Sequence, residues 1–140
     1  MIDYDPQNIF GRILRGEIPS TKVFECDDLL AIMDAFPQSK GHVLVIPKAD
    51  SRNILDADPE VVARVAAYLP RLARAVKAAM RADGLRLVQF NEAPSGQTVF
   101  HLHFHLIPVY EGVEIGRHGQ GQADAKALAE QAKAIAALID

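Results

Sequence analysis

The chain has 140 residues, 49% hydrophobic and 24% charged, the balance of one ordinary globular domain long enough for a real core. Fifteen Lys and Arg against eighteen Asp and Glu leave a formal charge of −3, so no overall basic field draws in nucleic acid or an anionic membrane, and any phosphate chemistry must rest on a local site. The single cysteine, Cys26, excludes an internal disulfide and a cysteine-rich metal cluster and fits a reducing, cytoplasmic setting.

The first residues, Met1-Ile2-Asp3-Tyr4-Asp5-Pro6, are acidic where a signal peptide is basic, and no apolar run approaches the roughly 18 residues of a membrane span. A short helix is predicted over 8–15, with Asn8 as its cap and Ile9, Phe10, Ile13 and Leu14 at helical spacing; the glycine and proline of 16–20 stop it. Residues 22–25 and 29–33 read as two strands of a hairpin turning through Asp27 and Asp28, with Asp34 at the end of the second. A third strand runs over 42–46 and is ended by Pro47. Asp58 and Pro59 begin a long helix whose apolar residues continue to about Ala82, with Pro70 inside it and expected to bend it. A fourth strand is predicted over 86–91, followed by a turn rich in Pro, Ser and Gly over 92–97. Residues 112–122 read as a glycine-rich mobile loop and 123–139 as an alanine-rich C-terminal helix. Runs of strands around one long helix predict an α+β fold, an antiparallel sheet with helices on one side.

The chemistry concentrates in 101–107, His-Leu-His-Phe-His-Leu-Ile. In an extended strand alternate side chains share a face, so His101, His103 and His105 are expected on one side and Leu102, Phe104 and Leu106 on the other. A single metal ion does not suit all three, because His101 and His105 would lie about 13 Å apart at a rise of roughly 3.3 Å per residue. A decorative solvent-facing strand is the plain alternative, and strict alternation of three among five histidines argues against it. What remains is a nucleophile with helpers. Neutral imidazole attacks phosphorus while its neighbours stabilise charge on the non-bridging oxygens, and His103, flanked on both sides, is the best-placed nucleophile. Ser95, Gly96, Gln97 and Thr98 offer N–H and hydroxyl groups suited to a phosphate.

This sequence resembles the histidine-triad (HIT) family, whose signature of His-x-His-x-His followed by two apolar residues is met by 101–107. Residues 8–13, 16–19, 41–48 and 91–108 extend the likeness to the Hint branch, the nucleoside-phosphoramidase type, giving a motif-bearing core at about 8–110 of one domain and a C-terminal loop and helix over 111–140. The resemblance implies a homodimer that binds a purine nucleotide and no dissociable cofactor, with His103 attacking the α-phosphorus of a nucleotide conjugate. It further implies that His101 and His105 stabilise the phosphate, that His42 orients the triad, and that Asn91, Gly96, Gln97 and Thr98 line the phosphate pocket, Thr98 near the leaving group. Asp34 is expected on the ribose hydroxyls, and Ile9, Phe10, Ile13 and Ile32 on the base. A dinucleoside polyphosphate hydrolase and a nucleotide-binding interaction protein are the alternatives.

Many bacterial relatives hold structural zinc with a Cys-x-x-Cys pair, a histidine after Pro-Lys and the first triad histidine. The corresponding positions here are Asn8, Gly11 and Asp50, so no structural zinc is expected and His101 is expected to be available to the phosphate. His118, in the glycine-rich loop, reads as a solvated loop histidine rather than as a contributor to the active site.

Overall fold

The computed structural model describes residues 3–116 and 121–140. Five strands, β1 (Lys22–Glu25), β2 (Leu29–Met33), β3 (Val43–Pro47), β4 (Gly84–Val88) and β5 (Phe104–Val109), form one antiparallel sheet in the order β1-β2-β3-β5-β4. The expected hairpin closes β1 and β2, with Cys26 N–H donating to the Leu29 carbonyl.

Alternation in the central strands makes two apolar faces. Leu29, Ala31, Met33, Val43, Val45 and Leu106 face one side, where helices α2 (Pro59–Ala66), α3 (Leu69–Met80) and α4 (Ala125–Ala136) cover them with Val65, Leu72, Val76, Leu128 and Ile135. Leu30, Ile32, Leu44 and Ile46 face the other, where they meet Phe10 of the short helix α1 (Ile9–Leu14). The three longer helices therefore share one side as expected, and α1 lies on the opposite side.

Local signals hold where the residues themselves carry them. Asn8 Oδ1 accepts the Gly11 N–H at 2.9 Å to cap α1, and Asp58 caps α2 with Pro59 in its first turn. The long helix, however, is two helices rather than one bent helix. They separate at Ala67 and Tyr68, because Pro70 has no N–H to give and its ring collides with the preceding turn, a position tolerated only in the first turn of a new helix. The fourth strand runs two residues earlier at its start and ends at Val88, leaving Phe90 and Asn91 in the connection. The fifth begins only at Phe104, so His101 and His103 precede the strand. The C-terminal helix is shorter than expected and is capped by Asp124, whose carboxylate accepts the Ala127 N–H. Among the described residues no helix is long and apolar enough to cross a membrane.

Candidate active site

The register of the sheet builds the site from its side away from the long helices. Ile32 pairs with Leu44 and Leu44 with His105, so His105 continues an apolar row while its neighbours Phe104 and Leu106 pack under the helices. His42, one residue ahead of β3, is fully buried beside it, and His101, His103 and His105 are all buried as well.

Hydrogen-bond partners fix the tautomers. A backbone carbonyl only accepts, so the 2.6 Å contact between His103 Nδ1 and the His101 carbonyl puts the proton of neutral His103 on Nδ1 and the lone pair on Nε2. The Gln38 N–H donates to His42 Nδ1 at 3.0 Å, which leaves the His42 proton on Nε2. That proton is given to His105 Nδ1 at 2.9 Å, placing the His105 proton on Nε2. The result is a nucleophilic nitrogen on one ring and an N–H donor on the next, with ring centroids 4.9 Å apart. Asp34 Oδ2 lies 3.5 Å from His42 Nε2 and helps hold that proton electrostatically, while its Oδ1 accepts the Phe36 N–H.

Asp34, His42 and His105 offer ligating atoms within 4.8 Å of one another, which raises the question of a metal. The donor set fits hydrogen bonding instead: His42 Nδ1 already receives a backbone N–H, and its Nε2 proton occupies the line to His105. The zinc positions of bacterial relatives fit no better. Asn8 uses its side chain in the α1 cap and on the Asp5 carbonyl, Gly11 has no donor, and His101 has both nitrogens engaged.

That engagement corrects one expectation. His101 is fully buried, its Nε2 donates to the Pro47 carbonyl at 2.7 Å, and its Nδ1 accepts the Tyr4 hydroxyl at 2.6 Å, so the ring supports the site from behind and is not presented to a phosphate. Burial holds its pKa below the ordinary 6.5, opposed by the Pro47 hydrogen bond. The side chains of Gln97 and Asn91 are committed too. Gln97 Oε1 takes N–H groups from Asn53 and Glu92, and its Nε2 donates to the Arg52 and Val99 carbonyls. Asn91 Oδ1 accepts the Ile54 N–H, and its Nδ2 donates to Gln89. Both brace the phosphate-loop candidate rather than point polar atoms out of it. Ser95, Gly96, at φ 116°, and Thr98 are the exposed members of that turn, and the Gly96 conformation is one that L side chains rarely adopt.

A cavity of about 440 Å³ is walled in part by Phe10, which meets His103, and by Asp34, which lies 3.5 Å from His42. Ile9, Phe10, Ile13, Ile32 and Asp34, the residues expected around base and ribose, all line it. Phe10 also sets its ring edge-to-face against His103, with centroids 4.8 Å apart, which joins cavity and nucleophile candidate. Sequence reasoning missed the far wall, made by Gln122, Ala123, Ala125 and Leu128. It also missed Tyr4, Gln38 and the Arg52–Glu92–Asn53 brace, in which the Arg52 guanidinium grips Glu92 at 2.8 and 3.0 Å. No spacing marks these residues; Gln38 falls in the turn-forming run 37–41 ahead of His42, and nothing in that run singles it out. His118 lies outside the described residues.

Comparison with known proteins agrees with this geometry. The model of the HIT domain matches residues 15–112. Adenylylsulfatase HINT3 of Arabidopsis thaliana is 39% identical over 100 residues, which cover 71% of this chain and 51% of that protein. A Hit-like protein of Bartonella henselae, described as involved in cell-cycle regulation, is 50% identical and superimposes with a TM-score of 0.91 over 97% of this chain and 99% of its own. A zinc-bound histidine triad protein of Mycobacterium smegmatis is 31% identical, with a TM-score of 0.83 over 95% and 93% of the two chains. With the triad, its buried histidine partner and the domain match together, the chain belongs to the histidine-triad (HIT) family.

Proposed function

We propose that this protein is a nucleotidyl hydrolase that cleaves a purine nucleoside phosphoramidate or related nucleotide conjugate at its α-phosphate without a metal ion. The carrying observation is the His103 Nδ1–H bond to the His101 carbonyl, which leaves the ring's lone pair on Nε2. That nitrogen attacks the phosphorus, a P–N bond forms, and the bond to the leaving group breaks, the departing amine taking up a proton from solvent. The His105 Nε2–H donates to a non-bridging oxygen as charge builds there, and the proton on His42 Nε2 keeps the His105 tautomer suited to that task. Thr98 is the candidate to hydrogen-bond the departing group. Water then attacks the nucleotidyl-histidine and gives up a proton to solvent, the P–N bond breaks, and a nucleoside monophosphate leaves with neutral His103 restored. The base sits between Phe10 and Ile32 in the cavity, with Asp34 toward the ribose. No nucleic acid or membrane partner enters this reading, and the active unit is a homodimer in a cytoplasmic setting.

The likeness to an adenylylsulfatase supports adenylyl sulfate as a second substrate, since the attack at phosphorus is shared. The test is hydrolysis, in the presence of a chelator, of an adenosine 5′-phosphoramidate with a fluorescent amine, against adenylyl sulfate and a diadenosine polyphosphate. His103→Ala is expected to lower turnover at least about a thousandfold while AMP still binds. A preference for the dinucleotide would change the substrate and keep the mechanism; binding of AMP without turnover of any of the three would overturn the hydrolase reading.

A further inference from the structure

His101 is held in three ways at once. Its Nε2 donates to the Pro47 carbonyl, its Nδ1 accepts from the Tyr4 hydroxyl, and its own carbonyl accepts the His103 Nδ1–H. The first two contacts fix the ring, and the third fixes the tautomer of the nucleophile candidate. Tyr4 reaches this point from the segment ahead of α1, ninety-seven residues away in sequence. Its ring meets the His101 ring edge-on, with centroids 5.6 Å apart. Gly11 keeps the approach open: a Cβ there would lie 3.2 Å from the Tyr4 hydroxyl and 3.0 Å from the Pro6 carbonyl. Burial raises the Tyr4 pKa above its ordinary 10.0, so the phenol remains protonated and donates at neutral pH.

We propose that Tyr4 is a positioning residue for His103, acting through His101. This rests on reading His103 as the nucleophile. The His101 side chain and the carbonyl that holds His103 belong to one residue, so a ring displaced bodily from between Pro47 and Tyr4 pulls its own Cα, and with it the adjoining carbonyl, out of place. Without the phenol, His101 Nδ1 is a buried acceptor with no donor, and the ring gains reason to shift toward another partner. The carbonyl then loosens its hold, and His103 begins to populate the tautomer with its proton on Nε2, which has no lone pair for attack.

Tyr4→Phe in the full chain removes the hydroxyl and keeps the ring contact. Turnover of the adenosine phosphoramidate is expected to fall about tenfold in kcat with KM within about twofold. Nitrogen NMR of the imidazoles is expected to show His103 moving from a single Nδ1–H pattern to a mixture. If the His103 pattern is that of wild type, Tyr4 merely anchors the N-terminal segment and the proposal is overturned, whether or not kcat or the thermal midpoint drops. An altered pattern with unchanged kcat overturns it equally. Wild-type protein inactive on every nucleotide conjugate would count against the hydrolase reading, and the tautomer comparison would still decide what Tyr4 does to His103.

Discussion

His42→Phe is the most direct probe of the proton chain. The change removes the imidazole that the part-buried Gln38 N–H and the buried His105 Nδ1 both contact, so a loss of about 1–3 kcal/mol in stability is expected from denaturant unfolding. It also frees His105 to change tautomer, and kcat should fall at least about tenfold with little change in nucleotide affinity. A variant with wild-type kcat would show that His105 needs no orienting partner. His101 makes a separate, pH-dependent prediction. Its folded pKa lies below the ordinary 6.5, so above that value the group is neutral in both states and its contribution is fully kept. As pH falls below it, the unfolded chain takes up a proton that the folded chain resists, and stability drops until the folded group itself protonates. The urea midpoint should therefore decline from about pH 7.5 to about pH 5, and His101→Gln should flatten that decline.

Among the connecting elements, the turn between β2 and β3 controls His42. Gly41 has φ 92°, and a Cβ on it would collide with the Met80 side chain of α3 and crowd Pro108 of β5 at 3.3 Å. Gly41→Ala is expected to cost at least about 2 kcal/mol, from the strained backbone and the displaced methionine together. Because the strain acts one residue from His42, activity measured well below the unfolding temperature should fall as well; full activity with lowered stability would mean that the turn yields without moving the histidine. The break between α2 and α3 is a second lesson at this scale. Apolar spacing continues across it, and Pro70 interrupts the hydrogen-bond ladder, so periodicity described the buried face while the proline decided the number of helices.

For the molecule as a whole, the proposed homodimer can be tested at an edge of the sheet. β4 pairs only with β5 among the described residues and carries the exposed Leu87, so one side of its ladder is open. Light scattering at micromolar concentration is expected to give twice the 15.3 kDa chain mass, and a monomer would contradict the proposed homodimer. The triad signature, the caps at Asn8 and Asp58, the hairpin and the alternating apolar strands were legible in sequence because each depends on residues close together in the chain, where spacing alone sets which side chains share a face. The family resemblance, and not local spacing, brought Ile9, Phe10, Ile13, Ile32 and Asp34 onto one list, and they do line one cavity. The side-chain polar atoms of His101, Gln97 and Asn91 are engaged by Pro47, Asn53 and Ile54, partners that no spacing announces. Sequence by itself determined the family, since the triad signature is written in seven consecutive residues and needs no tertiary contact to be read. Tertiary structure alone decided which nitrogen holds each proton, because a tautomer is set by whichever acceptor or donor the fold brings to the other side of the ring.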